Sequence, residues 1–560
     1  METCFEQPCC SARGEVPPEV IEAVRRQPGD AAPESEPSIA DSVSPFDCLD
    51  SPSQSSRPRG STWETVGPAS SPGASMAVAK TLTKEERLVS GGYSDVDDEI
   101  LWGIPLRRSL KRLGRVWRYK PATWKPAQRA ELHELSQNVE SFDVFLSHTW
   151  QTPGWHKAVA LSFQCGWRST FALWCVAELA STALCLLDVL PMPLPYKPNV
   201  IGFTDECPMG LWVYGSGALA LLLGWFLTPH LPDFCSQPEM GFIDVVSINQ
   251  EDSLLMERGV YGIAGFLRIS SELRVLWSAP YLSRLWCVFE LAAYRKVNPT
   301  GIMSFRPLFV ATLPRIFLAL VEFDSFFEPW RSGDEYRFTI YLAFGTFYVL
   351  NAVATALLRS NYREKHHLRR ELRQFDLNKV SCMHEFDRIF IHSAISKWYG
   401  SKEAFTEFVR QDLRQDLEPG MAKRFPFKYL LLLMAALVSV SMEFFVAMWK
   451  GGAPFESLLA FALAILLGVD VFVGICVSVI LHYLSDRFAA RRFGRLDHVQ
   501  TFLIISLVAA MFYYSNNLAV AAYASSLEHC ILFAVVSGAL AGCLCWLDRH
   551  TPMPDISEPL

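Results

Sequence analysis

The sequence predicts a parallel-sheet α/β domain that is interrupted by a transmembrane helical hairpin and followed by an α-helical multi-pass membrane region. Three observations carry this. Short, partly β-branched apolar runs begin at Phe142, Phe242 and Leu273 and end in polar residues, as strands buried on both faces of a parallel sheet do. A helical pattern follows the first and third runs within a few residues, which is βα alternation. Several further stretches hold about twenty apolar residues, enough to cross a bilayer as helices. Composition agrees with a mixed protein: 560 residues, 50% hydrophobic and 13% aromatic, with mean hydropathy +0.17. A net charge of -7 argues against nucleic acid as a partner and leaves the lipid bilayer as the expected one. Fifteen cysteines form no CxxC pair, and Cys175, Cys185, Cys476, Cys530, Cys543 and Cys545 sit in apolar runs, so reduced, packed thiols are expected rather than disulfides.

Residues 1–80 are rich in Pro, Ser, Gly and Glu without hydrophobic periodicity, and read as a disordered tail. The start, Met1-Glu-Thr-Cys-Phe-Glu, has neither the basic nor the apolar region of a cleaved signal peptide. Cys4, Cys9 and Cys10 read as plain tail cysteines in preference to lipid attachment points. Residues 81–135 form a basic amphipathic linker. Within it Leu106, Leu110, Leu113 and Trp117 recur at helical spacing, with Arg107, Arg108, Lys111, Arg112, Arg115 and Arg118 between them. Two readings of 104–118 weigh equally: a helix lying on an anionic leaflet, or one packing on the α/β domain.

The first part of the α/β domain is expected over 136–168, with a strand at Phe142 to Ser147 and a helix at Trp155 to Phe163. A hairpin over 169–228 follows, its spans near 169–190 and 210–227 separated by the proline-rich Pro191-Met-Pro-Leu-Pro-Tyr-Lys-Pro198. The second part occupies 236–310: a strand at Phe242 to Ser247, a polar loop from Asn249 to Gly259, a helix from Val260 to Ser271, a strand from Leu273, a helix carrying Glu290 and a strand at Ile302 to Phe309. Residues 311–358 hold a weak apolar stretch, Phe309 to Phe327, expected to cross or re-enter, and a clear span from Tyr336 to Leu358.

The basic segment after Arg359 opens a cytosolic helical piece, 359–427, with breaks at Tyr399-Gly400 and Pro419-Gly420. There His384, Glu385, Asp387 and His392 read as a solvated helix face rather than a metal site, because their spacing does not converge. Four spans are expected in 428–547, near 429–448, 456–483, 499–522 and 530–546, before a short tail, 548–560. Eight passes place both termini and the α/β domain in the cytoplasm. Glu178, Asp188, Glu443 and Asp470 lie in or near these spans, and Asp470 is nearest a span centre. An intramembrane carboxylate faces a bundle interior or a water path, so Asp470 is the intramembrane candidate for an ion or proton role, weighed against a packed, hydrogen-bonded carboxyl.

The segments Asp143-Val-Phe-Leu-Ser147, Ser271 to Ser278 and Ser283-Arg-Leu-Trp-Cys-Val-Phe-Glu-Leu291 resemble, in order and spacing, the Toll/interleukin-1 receptor (TIR) domain family and its heterokaryon-incompatibility relatives. The resemblance covers roughly 140–165 and 240–310 and implies a flavodoxin-like fold of five strands, of which four are traceable. It also implies a catalytic glutamate at Glu290 that supports cleavage of the nicotinamide–ribose bond of NAD. A carboxylate there stabilises an oxocarbenium-like ribose. Trp286 would wall the pocket, with Asp143, Ser147, His148 and Asn249 as further substrate contacts. NAD would be a substrate, and no cofactor is expected. The same helix occurs in TIR domains that only assemble with one another. Signalling by self-association is therefore the leading expectation, NAD cleavage the second, and a channel or transporter regulated by a non-catalytic TIR-like domain the alternative.

Overall fold

Two helices tie a six-stranded sheet to a membrane bundle. The structure, a computed structural model, describes residues 82–118, 124–231, 239–307, 334–422, 427–491 and 494–551. The expected tail 1–80 with its three cysteines, and the weak apolar stretch 309–327, lie outside the described residues.

The sheet comprises β1 (Trp102–Pro105), β2 (Gln137–Asn138), β3 (Phe142–His148), β6 (Met240–Phe242), β7 (Ser270–Trp277) and β8 (Ile302–Pro307), in the order β2-β1-β6-β3-β7-β8. A separate two-stranded ribbon is formed by β4 (Leu194–Tyr196) and β5 (Cys207–Met209). The pairs β6/β3, β3/β7 and β7/β8 are parallel, whereas β1 pairs antiparallel with both β6 and β2. In chain order the four parallel strands run second, first, third, fourth, which is a doubly wound arrangement whose order reverses between β3 and β7.

Alternation along the strands sends side chains to two layers. Phe145, Leu273, Val275 and Trp277 join one apolar core, and Val144, Leu146 and Leu276 another. The second strand is shorter than its apolar run suggests. After Phe242 the chain turns into a short helix, Asp244–Ser247, because the Ser247 hydroxyl accepts the Ile243 N–H and Asp244 Oδ1 accepts the Val245 N–H. The segment 104–118 is likewise not one amphipathic helix. It ends β1, makes a 3-10 turn over Leu106–Leu110 and passes through left-handed residues at Arg112, Leu113 and Gly114. Leu106, Leu110 and Trp117 are buried in the core while Leu113 is exposed, so this segment packs on the α/β domain.

The helices that position the sites are α1 (Gly154–Leu186), α2 (Trp212–Leu227), α3 (Leu285–Val297), α4 (Asp334–Arg373), α5 (Glu385–Tyr399), α6 (Phe427–Lys450), α7 (Phe455–Arg487), α8 (Asp497–Ser525) and α9 (Leu527–His550). Among the described residues six helices are long and apolar enough to cross a membrane: α1, Trp212–His230, Leu430–Lys450, α7, α8 and α9. The span expected at 336–358 is helical and lies inside α4.

Both α1 and α4 exceed a single crossing. At 33 residues α1 is about 50 Å long, against an apolar bilayer thickness of about 30 Å. Its first turns therefore stay in the α/β core, where Ala158, Ala160 and Leu161 are buried. The last turns of α4 enter the same domain from the bundle through Leu368 and Leu372. The segment read as a solvated cytosolic piece is also part of that core. Phe386, Phe390, Ile391, Ala394 and Ile395 of α5 pack over Leu285, Val288 and Leu291 of α3. Gly400, with φ of 88°, ends α5 at the expected break, whereas the chain remains helical through Pro419 and Gly420.

Candidate functional site

The carboxyl ends of β3 and β7 flank the point where strand order reverses, the place open α/β sheets offer to ligands. Ser147 and His148 end β3. Ser147 aligns with Val275 and His148 with Leu276 across the β3/β7 ladder. Successive residues of a strand point to opposite faces. The two polar side chains consequently serve different environments.

On one face Ser147 Oγ donates to Glu290 Oε2 and shares a second hydrogen bond with the Tyr281 hydroxyl. Glu290 reaches it from the second turn of α3, and Tyr281, completely buried, comes from the loop between β7 and α3. Burial pushes the Glu290 carboxyl up to about 8, against which the Ser147 hydrogen bond acts, while the Asp244 charge adds to the rise. At neutral pH it is therefore mostly a neutral acid able to donate a hydrogen bond. Burial also holds the Tyr281 hydroxyl and the Cys287 thiol far above their ordinary ranges. Cys287 Sγ lies 3.7 Å from the His148 carbonyl oxygen, to which it donates.

On the other face His148 is wedged between Trp117 and Trp150, with ring centroids at 5.3 and 4.7 Å. Both its nitrogens are buried without a hydrogen-bond partner, and Asp244 Oδ1 is 3.9 Å from Nε2. Burial, and next the Lys157 charge, lower the imidazole well below its ordinary value, so it is neutral. Lys157 Nζ sits 4.3 Å over the Trp150 ring, and Trp150 Nε1 donates to Asp244 Oδ2 at 2.9 Å.

The structure brings Glu290 and Ser147 together and sets His148 beside them on the opposite face. The other expected contacts are elsewhere. Asp143 is at the amino end of β3, about 13 Å from Ser147 by strand rise, and its Oδ2 accepts the Met240 N–H at 2.7 Å. Asn249 folds its own loop, Oδ1 accepting the N–H groups of Glu251 and Asp252 at 2.8 and 2.9 Å. Trp286 turns away from Glu290 toward α5: Nε1 donates to Asp387 Oδ2 at 3.1 Å, and the ring packs on Tyr261 and Phe289. Asp470 is far away on α7, inside a π-helical segment, Ala462–Val473, with Ser441 of α6 hydrogen-bonded to its carboxyl.

Sequence reasoning missed Tyr281, Asp244 and Lys157. Asp244 lies inside a stretch already singled out and Tyr281 between two of them, but neither has a spacing that marks it. Lys157 gave a signal, a lone basic residue on the apolar face of the helix after β3. Compared with protein families, curated proteins and solved structures, the chain finds no match in any of the three.

Proposed function

We propose that this chain is a multi-pass membrane protein that signals through a TIR-like α/β domain, the domain and the bundle changing state together. The observation that carries this reading is the continuity of α1, which holds Lys157 in the α/β core and Glu178 in the bundle on one uninterrupted helix. A rigid helix transmits displacement that a flexible linker would absorb. Self-association of the α/β domains, which the resemblance implies, would supply the signal's output.

The test is hydrogen exchange on the intact protein in nanodiscs. Gly224 of α2 lies so close to α1 that an added Cβ would be 2.7 Å from the Cα of Thr170, so Gly224→Val wedges α1 from α2 within the bundle. Faster exchange in β3 and α3, outside the membrane, is expected. Unchanged exchange there overturns the coupling.

A second reading, cleavage of the nicotinamide–ribose bond of NAD, is favoured by one feature, the Glu290 acid beside the Ser147 hydroxyl at the strand ends. Against it, the completely buried Tyr281 is itself hydrogen-bonded to Ser147, and Trp286 lies under α5. Membranes carrying the intact protein are expected to consume no more NAD than the Glu290→Gln form at equal expression. Consumption that depends on Glu290 would replace the first reading with the second.

A further inference from the structure

We infer that α7 carries a proton-exchange path from Asp470, in the middle of the bundle, to the membrane face beneath the α/β domain. Ser478, His482 and Asp486 follow one another at four-residue spacing and so share one face of the α-helical half of α7, with Asp470 two turns before them. All four are buried: 4%, 5%, 9% and 0% exposed in that order from Asp470. A matching ladder runs on α4, where Tyr362 and His366 are also four apart and buried. The two ladders pair rung by rung, Tyr362 Oη with His482 Nδ1 at 2.8 Å and His366 Nε2 with Asp486 Oδ1 at 2.8 Å.

A purely stapling role for these bonds leaves the inner end unexplained. Asp470 Oδ2 is buried without a hydrogen-bond partner, and among the described residues no basic side chain pairs with the carboxyl. Ser441 of α6 hydrogen-bonds the carboxyl, but one hydroxyl does not offset the cost of a charge in an apolar bundle, so a carboxyl so placed exchanges a proton rather than keeping a fixed charge. On the surrounding helices Lys365 of α4, buried, lies 5.4 Å over the Tyr362 ring of the ladder, and Glu443, Arg359 and Arg363 are committed to other partners. Glu443 of α6 accepts four backbone N–H groups at the start of α2, from Gly210, Leu211, Val213 and Tyr214. Arg359 of α4 donates to the carbonyls of Phe488 and Asp497 and to Thr501 and Gln500 of α8, and Arg363 donates to the Ala489 carbonyl. From α9, Cys545 lies beside Cys476, and Cys530 is buried in one apolar cluster with Ala464 and Val469 of α7.

The backbone around Asp470 supports the same role. Twelve residues, Ala462–Val473, are π-helical. π-Helical turns are rare, concentrate at functional positions and widen the helix locally. Each group along the path both gives and takes a proton. When His482 gains a proton on one ring nitrogen and loses one from the other, an N–H bond forms as another breaks, and the imidazole is left unchanged. The Ser478 hydroxyl relays in the same manner, and the proton ends on the Asp470 carboxylate as an O–H bond. Ser478, His482 and Asp486 rise about 6 Å from one to the next, a gap that a single bridging water closes, whereas the eight residues between Asp470 and Ser478 rise about 12 Å, so that step takes a short file of waters. The ligand of this site is the proton itself, and the path stands independently of the role assigned to the α/β domain.

The experiment is time-resolved infrared spectroscopy of the full chain in nanodiscs after a jump between about pH 5 and about pH 9, a range that brackets carboxyls displaced by burial. A carboxylic acid C=O band that changes with pH in the wild type and is missing in Asp470→Asn is expected. Its rate of change should fall about a hundredfold in His482→Phe, the low end of what a positioned proton-transfer group contributes. Ser478→Ala, which removes one oxygen and disturbs packing least, should slow it in the same direction and covers the case in which His482→Phe does not fold. Absence of any pH-dependent band belonging to Asp470 overturns the proposal. So does a band whose rate is the same in the wild type and in both relay variants.

Discussion

Glu290 shows how a residue's placement sets its chemistry. Its carboxyl sits near 8 in the folded protein against 4.5 for a free glutamate. A folded-state value above the unfolded one means that between those limits the native state holds a proton that the unfolded chain has released. Stability then falls as pH rises through this window. Glu290→Gln keeps the shape and removes the titration. The melting temperatures of wild type and variant should therefore coincide near pH 4 and diverge by a few degrees by about pH 9, the variant melting higher. Equal pH dependence would mean that Glu290 is ionised in the native state. This position was legible through the resemblance of the Ser283-to-Leu291 segment, in which Trp286 and Glu290 are four apart. What the spacing could not convey is that neighbours on one helix face diverge when different elements cover them, Ser147 meeting Glu290 and α5 meeting Trp286. Asp143 was misread for a simpler reason: a strand has two ends, and a motif at its start is remote from the ligand end.

At the scale of elements, α5 decides whether the α/β core is closed. Asp387, buried, accepts both the Tyr261 hydroxyl at 2.8 Å and the Trp286 indole N–H, and so pins α5 to α3. Asp387→Ala removes the acceptor of the buried Tyr261 hydroxyl, at about 1–3 kcal/mol, and that of the part-buried Trp286 indole. Phe390, with no exposure, packs edge-on against Tyr93 and Tyr261, and its loss to Ala should cost about 3–5 kcal/mol. Both variants should lower the denaturant midpoint and speed amide exchange in α3. A change confined to α5 would show that it only rests on the domain. The sequence disguised this helix because its apolar face, Phe386, Phe390 and Ala394, is interleaved with charge and lies about a hundred residues from its partner in α3. The strands β3 and β7 and helix α3 were readable, since apolar runs and helical spacing are local signals. The brief strands β1 and β2 gave none, and the apolar run after Phe242 fits strand and helix equally until Asp244 and Ser247 cap the turn. The continuity of α1 was hidden by Trp167-Arg168, which reads as a boundary in hydropathy although its backbone stays helical.

For the whole molecule, the helices fix which surfaces share a side. The carboxyl-terminal turns of α4 enter the α/β core, α7 ends where Arg359 of α4 grips the Phe488 carbonyl, and α8 begins at Asp497, also held by Arg359. At the far end Ile201, between β4 and β5, donates its N–H to the Tyr523 carbonyl of α8, and the Ser457 hydroxyl at the start of α7 donates to the Ile201 carbonyl. The β4–β5 ribbon and the α6–α7 and α8–α9 turns therefore form one surface, and the α/β domain lies on the opposite one. Basic residues clustered after Arg359 favour the cytoplasm for the α/β side. Lys197→Cys on the ribbon and Glu251→Cys in the α/β domain, both exposed, separate the two sides. In intact cells a membrane-impermeant thiol reagent should label the first well above the background of the native cysteines, and the second only after permeabilisation. Labelling in the reverse order would keep the architecture and invert its orientation. Equal labelling of both in sealed cells would mean that the ribbon and the α/β domain share a side, which the hydrogen bonds of Ile201 to α7 and α8 do not allow if those helices cross the membrane.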